Sequence, residues 1–599
     1  MLRAKESRVE DYKDSLSLAD SDASFGAERS YVFNPYPKYN SDDWRAAHAE
    51  YVPCHDPADA EVEDIHVFKG YPKDFPGPGF GSYNVLGIDQ NICYGRHGRL
   101  GQYGLEPDKS KDATDWESLD WGKLQNACVE RNKARFGSER PPNIFVTTGT
   151  EAVNPDAQTL LQVPRRSFHS QRSQDRPLDS ARNSSQMTRE SRTAVLLRSF
   201  TGKEYTDNDK QVIRSLITEL NFRSGGEYQV FLFVHVKKAA DIWRDNKTYQ
   251  DTIEAEIPRE FWGITVLWND ESVRQLYTNL EEKPSRVHNG QYLSVQMFMQ
   301  QHREFDYVWN WEMDSRVVGH NYDFVNKLAE FSRKQPRKGL WERNERFYIR
   351  DIHGEYDTEF RQTIEGLYGN DIVWGAPKVE GVDAMGPQPP APTPENDNYE
   401  WGVGEDADLI TLAPIFNPID SDWILRNQVW GYPVGTDLPR RATIITQCRL
   451  SRRLVDLMHA EDLRGKHVGS EMQPQTVSLL HGLKAVYAPM PVFFDRPWTG
   501  AQLARYFNGG PKGASGGPGS AFGWGRERRF EGSTWYFRAT PPLRLYNNWM
   551  GYEDTGIGGP EWEKVHGPPC LPAMILHPIK DVRPTEPGSA TKIDFPYRR

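Results

Sequence analysis

No stretch of this chain approaches the ~20 consecutive apolar residues that cross a bilayer as a helix, which excludes a multi-span transporter and any transmembrane segment within it. The first residues, Met1-Leu2-Arg3-Ala4-Lys5-Glu6-Ser7, hold no apolar run, so no signal peptide is expected. Cysteine is scarce: Cys54, Cys93, Cys128, Cys448 and Cys570 are the five in 599 residues, and none forms the C-x-x-C pair of a zinc knuckle. Three of them fall in the first 130 residues, as a disulfide in an oxidising compartment or as ordinary buried thiols. Without an export signal, reduced thiols are the expectation. An excess of positive charge is missing too. The net charge of −11 and pI near 5.8 exclude a nucleic acid polymer as the expected partner.

What is present is aromatic. Aromatic residues make up 12% of the chain, with 18 Trp, against a mean hydropathy of −0.73, a composition that predicts dense aromatic cores separated by polar loops. Residues 1–30 are polar and aperiodic, and disorder is expected there. Residues 31–136 are rich in Pro, Gly and rings, which predicts an irregular region packing on the core, with a short helix opening at Asp120. Residues 137–192 read as a basic Ser/Arg-rich linker, 501–575 as a Gly-rich C-terminal extension, and 576–599 as a flexible tail with little to pack. Two sequons, at Asn183 and Asn246, matter only in a secreted protein.

Between 193 and 500 the rhythm becomes regular. Ala194–Leu197, Tyr228–Val234 and Gly263–Trp268 are continuous apolar strands, and 207–221 has its apolar residues at helical spacing. A helix over 291–302 leads into the aromatic strand Phe305-Asp306-Tyr307-Val308-Trp309-Asn310-Trp311, and another spans 322–333. Strand–helix alternation with uninterrupted apolar strands predicts an α/β fold, a Rossmann-like, mostly parallel sheet flanked by helices. Residues 379–398 form a Pro-rich insertion, a surface loop or lid.

The aromatic strand ends in two acids, Glu312 and Asp314. Residues i and i+2 of a strand leave by the same face, and paired carboxylates suit Mn²⁺ or Mg²⁺ bound together with a substrate's phosphates. Standing alone, such a pair is more often two solvated acids. A second cluster, Glu405, Asp406 and Asp408, follows Gly402 and Gly404, glycines that would let backbone approach a sugar or phosphate closely. A carboxylate there would serve as general base on a hydroxyl, or it would simply favour a helix N-terminus. His481 is a candidate third metal ligand or an ordinary half-buried histidine. Arg198, ending the first strand, suits either a phosphate or a surface salt bridge.

The runs Trp309-Asn310-Trp311-Glu312-Met313-Asp314, Gln335-Pro336-Arg337-Lys338-Gly339-Leu340-Trp341-Glu342-Arg343-Asn344, Trp401-Gly402-Val403-Gly404-Glu405 and His481-Gly482-Leu483-Lys484-Ala485-Val486-Tyr487 resemble a fungal family of uncharacterised proteins, domain of unknown function 3405, over about 30–135 and 193–550. Its members are sometimes mislabelled as transporters. Many are similar to type II membrane proteins of the Golgi or secretory lumen, with an anchor helix absent from this sequence; without that resemblance the expected location is cytoplasmic. An aromatic strand ending in E-x-D is also similar to yeast-type α-mannosyltransferases, enzymes of the glycosyltransferase-A fold. That likeness implies Glu312 and Asp314 as metal–diphosphate residues, Asp406 with Glu405 on the acceptor side, and His481 as a late metal ligand. The implied activity is a metal-dependent glycosyltransferase taking a nucleotide-sugar donor and a glycan or glycoprotein acceptor. Its rivals are a non-catalytic glycan- or protein-binding relative and a metal-dependent hydrolase. The expectation common to these roles is that Glu312, Asp314 and Asp406 line one cleft.

Overall fold

The structure, a computed structural model, describes residues 30–55, 62–72, 75–105, 114–136, 147–148, 151–152, 187–237, 242, 245–554, 557–580 and 582. The expected disorder before 30, most of the basic linker, the sequon at Asn183 and the tail beyond 582 lie outside the described residues.

The core is one seven-stranded sheet. Its strands are β1 (Thr193–Phe200), β2 (Tyr228–His235), β3 (Thr265–Trp268), β4 (Tyr307–Glu312), β5 (Leu409–Thr411), β6 (Cys448–Ser451) and β7 (Ala485–Tyr487). They lie in the order β3-β2-β1-β4-β6-β5-β7, parallel throughout except for β6, which runs antiparallel to both neighbours. The mixed α/β, mostly parallel architecture is therefore as expected.

Alternation along each strand feeds two separate cores, because successive side chains point to opposite faces. Val195, Leu197, Trp309, Trp311 and Ile410 enter one core, where α1 (Asp207–Leu216) contributes Ile213 and Leu216, and α3 (Asn321–Lys334) contributes Tyr322, Val325 and Leu328. Ala194, Leu196, Val308 and Leu409 enter the other, covered by Leu293 and Phe298 of α2 (Gln291–Gln301) and by Leu454 and Met458 of α4 (Arg452–Leu463). The helices begin where the sequence caps them. Thr206 and Asp209 form a reciprocal capping box on α1, and the Ser451 hydroxyl accepts from the Leu454 N–H at the start of α4.

The chain runs outward through β1, β2 and β3, then returns to place β4 on the other side of β1. That reversal between β1 and β4 opens a crevice at the carboxyl ends of the two strands, the position where open α/β sheets bind ligands.

The N-terminal region packs on this core through a buried pair: Arg99 Nη1 lies 2.6 Å from Glu219 Oε1, and Arg99 Nε donates to Gly319 O at 2.9 Å. Four of the five cysteines are bonded, Cys54 to Cys128 and Cys93 to Cys570, which corrects the expectation of reduced thiols; Cys448 is free and buried. The second disulfide joins residues 477 apart in a small sheet of Tyr31–Val32, His66–Lys69, Ile92–Gly95 and Cys570–Pro572. The C-terminal extension is no loose appendage, since Phe507, Ser515, Ala521 and Phe522 are buried. The chain just after 576 also packs: His577, Ile579 and Val582 are buried. Among the described residues, no helix is long and apolar enough to cross a membrane.

Candidate metal centre

Glu312 is the last residue of β4, and its Cα is paired in register with Arg198 on β1. It therefore stands at the mouth of the crevice. The next residue, Met313, turns inward and is 8% exposed, so the acids on either side of it face outward together. Arg316 locks this turn: its Nη1 donates to Met313 O at 2.6 Å and its Nη2 to Asp209 Oδ1 at 2.8 Å, tying it to the first turn of α1.

The third member of the cluster is His577. Its Nε2 lies 2.9 Å from Glu312 Oε2 and 3.3 Å from Asp314 Oδ1. Ligating atoms of Glu312, Asp314 and His577 all lie within 4.8 Å of one another. The carboxylates keep 22% and 26% of their side-chain surface while the imidazole keeps 3%, so the group opens to solvent on its acidic side. Two carboxylates and an imidazole are a donor set suited to Mn²⁺ and related ions.

The electrostatics fit that use. Burial opposes charge on the His577 ring, but Asp314 and Glu312 outweigh it and lift its pKa to about 9. Burial likewise disfavours both carboxylates, yet His577 holds each below its ordinary value.

Several neighbours orient the cluster. The Thr446 N–H and hydroxyl both donate to Glu312 Oε1, at 3.1 and 2.8 Å. The His577 N–H donates to Thr534 O at 3.1 Å, and the Ile579 N–H donates to Asp314 O at 2.7 Å. Arg198, half-buried, donates through Nη1 to Gln291 Oε1 at 2.9 Å and to Asn310 Oδ1 at 3.4 Å. It has no carboxylate within ion-pair distance among the described residues, and Glu312 is the charge that acts on it most strongly.

Glu471 belongs to the same edge. It precedes α5 (Gln473–Leu480) in the segment Gly469-Ser470-Glu471, where Ser470 Oγ accepts from the Gln291 N–H at 3.0 Å. Burial and the charge of Glu312 push its pKa up to about 8, against the pull of a hydrogen bond from the Ile445 N–H. A half-buried carboxyl that titrates near neutrality beside a metal-type cluster has the properties of a general base.

The second acid cluster lies elsewhere. Leu409 of β5 is level with Leu450 of β6 and Val308 of β4, so Glu405 and Asp406 precede the amino-terminal end of the sheet. Five strand residues separate that end from Glu312, about 17 Å at the rise of an extended strand. The expected convergence of Asp406 with Glu312 and Asp314 is thereby overturned. Asp406 pairs with Arg333 at 2.9 Å and Glu405 with Arg337 at 2.8 Å. Gly402 and Gly404 sit at the same remote end. A Cβ on Gly402 would meet Arg337 Cγ at 2.6 Å, so its smallness makes room for that arginine rather than for a ligand. His481 is also at that end, capping α5 just before β7, with Nδ1 accepting from the Met385 N–H at 3.3 Å. Burial, followed by Arg464, lowers its pKa to about 4, a neutral packing histidine rather than the third ligand. The Pro-rich insertion packs there too, with the Gly386 N–H donating to His481 O, so it is no lid over the cluster.

Residues 93–581 match the family described as protein of unknown function (DUF3405). The chain belongs to the DUF3405 family. No curated protein and no solved structure matches it. The matched span of this DUF3405 protein includes all three cluster residues, Arg198 and Glu471.

Proposed function

We propose that this DUF3405 protein is a divalent-cation-dependent glycosyltransferase of the glycosyltransferase-A type, acting on a nucleotide-sugar donor and a glycan or glycoprotein acceptor. The observation that carries the reading is the convergence of Glu312, Asp314 and His577 on one point at the β1/β4 crevice, beside Arg198. Glu312, Asp314 and His577 would hold Mn²⁺ or Mg²⁺, which when bound neutralises a departing diphosphate. Arg198 would supply a fixed positive charge to the same phosphates.

Donor and acceptor take opposite sides of the cluster. On the β1 side, Phe200 is 40% exposed with Lys237 Nζ 3.4 Å from its ring centroid, an aromatic face and an ammonium that suit a base and a phosphate. On the β6 side, Glu471 takes the acceptor role expected of Asp406: it would accept the proton of the acceptor hydroxyl as the new glycosidic bond forms. The two disulfides support assembly in an oxidising compartment such as the secretory lumen.

The test pairs calorimetry with a donor-turnover assay. Asp314→Ala is expected to lose both Mn²⁺ binding and turnover of nucleotide sugars, whereas Glu471→Gln keeps Mn²⁺ binding and loses transfer. Undiminished turnover in Asp314→Ala rejects the reading, and sugar release without any acceptor product marks a hydrolase instead.

A further inference from the structure

Among the described residues, six non-glycine positions adopt positive φ, and Ile445 at +72° is the one β-branched residue among them. A β-branched side chain in the left-handed region is sterically disfavoured and persists only where its surroundings hold it. Those surroundings are on both sides. The Ile445 side chain is 7% exposed in the core. Just before it, the Thr443 N–H donates to Glu471 O at 2.9 Å; just after it, Thr446 O accepts from Tyr292 Oη at 2.9 Å and from Asn310 Nδ2 at 2.8 Å.

The consequence of this conformation is what the amides on either side of Ile445 hold. The Thr446 N–H bonds Glu312 Oε1 at 3.1 Å, while on the other side of Ile445 the Thr443 N–H holds the Glu471 main chain. Gln447 continues the wrap, its Oε1 accepting from Ser315 Oγ at 2.5 Å and from the Glu312 N–H at 3.4 Å. We infer that Ile445 is a positioning residue: its left-handed backbone aims the Thr446 N–H at the Glu312 carboxylate, and the same turn of chain, through the Thr443 N–H, holds the main chain of Glu471. This rests on the proposed function, since it assigns the turn to the same reaction. The coupling also gives the strain a use, because relaxing the turn would disturb the Glu312 carboxylate and the Glu471 main chain together.

Substitutions at one position separate this role from simple packing. Ile445→Ala and Ile445→Gly both remove the buried side chain, but only glycine is at ease at positive φ. In the alanine variant the turn relaxes and the amides rotate away. Mn²⁺ affinity then falls about tenfold or more, the scale of losing an outer-shell partner of a metal ligand, and donor turnover falls with it. Ile445→Gly keeps the Mn²⁺ affinity of the unaltered protein although its melting temperature drops at least as far. Should the alanine variant fail to fold, the glycine variant still decides: retained affinity supports the positioning role and lost affinity overturns it. Equal losses in both variants, or none in alanine, also overturn it. The unaltered protein is titrated first with Mn²⁺ alone; no binding there removes the proposed function itself, an outcome distinct from any difference between the variants.

Discussion

His577 Nε2 lies 2.9 Å from Glu312 Oε2, which joins the end of the central strand to the C-terminal end of the described residues. If this contact completes a cation site, His577→Ala should weaken Mn²⁺ binding by at least the ~10–100-fold that loss of an outer-shell partner costs. His481→Ala, at the far end of the sheet, should leave Mn²⁺ affinity unchanged. Calorimetric titration of the two variants checks both, and equal affinities would remove His577 from the site.

The sequence made half of this site legible and hid the other half for a physical reason. Glu312 and Asp314 announce themselves because they follow a run of β-branched and aromatic residues, and strand periodicity fixes their shared direction. The seven-strand sheet was readable for the same reason: Ala194–Leu197 and Tyr228–Val234 are uninterrupted apolar runs, and both lie buried on two faces. His577 gives no such signal. It follows a two-residue strand, Ile575–Leu576, in Pro-rich sequence, and reaches Glu312 only because that strand pairs with Arg316–Val317. Glu405 and Asp406 misled because glycines and acids look alike whether they meet a ligand or the protein's own arginines. Which end of a strand a cluster occupies depends on register, and register is a tertiary property.

The disulfide Cys93–Cys570 anchors the segment that delivers His577, whereas Cys54–Cys128 ties residue 54 to the helix Trp121–Arg131. Removing a native disulfide typically costs ~2–5 kcal/mol, so replacing either pair by serines should lower the melting temperature. Only the Cys93→Ser/Cys570→Ser protein should also bind Mn²⁺ more weakly, because the chain leading to His577 gains freedom. Thermal melts with and without Mn²⁺ separate the two effects: the metal-induced rise in melting temperature shrinks for that pair and persists for Cys54→Ser/Cys128→Ser.

Glu342 supplies a pH dependence unrelated to the site. It is 2% exposed, and its Oε1 accepts from the Val373 N–H at 2.7 Å. Burial lifts its pKa to about 7. A folded-state value above the unfolded one means that the native protein binds the extra proton between the two. The contribution to stability is thus complete below about pH 4.5 and is lost as pH rises through 7. The span corresponds to at most about 3 kcal/mol. Urea midpoints measured at pH 5 and pH 8 should fall less in Glu342→Gln than in the unaltered protein; an identical fall would place the titrating group elsewhere.

Asp406 and Asp408 stand two residues apart and should behave in opposite ways. Asp406 pairs with Arg333 where both side chains are substantially exposed, 37% and 49%, and such pairs contribute no more than ~1 kcal/mol. Asp408 is 2% exposed, and its carboxylate takes the Ser451 hydroxyl at 2.7 Å, Arg453 Nη2 at 2.6 Å and the Lys484 N–H at 3.1 Å. Removing one partner of a buried ion pair strands the other, at ~3–5 kcal/mol. Asp406→Ala should therefore leave stability, Mn²⁺ affinity and donor turnover close to those of the unaltered protein, while Asp408→Ala lowers the denaturation midpoint sharply. In any Asp408→Ala protein that remains folded, Mn²⁺ affinity should be intact, because the network it breaks braces the amino-terminal end of the sheet and the cluster stands about 17 Å away at the other. Loss of turnover in Asp406→Ala without loss of stability would return that residue to the reaction and contradict the division of the sheet into a structural end and a chemical one.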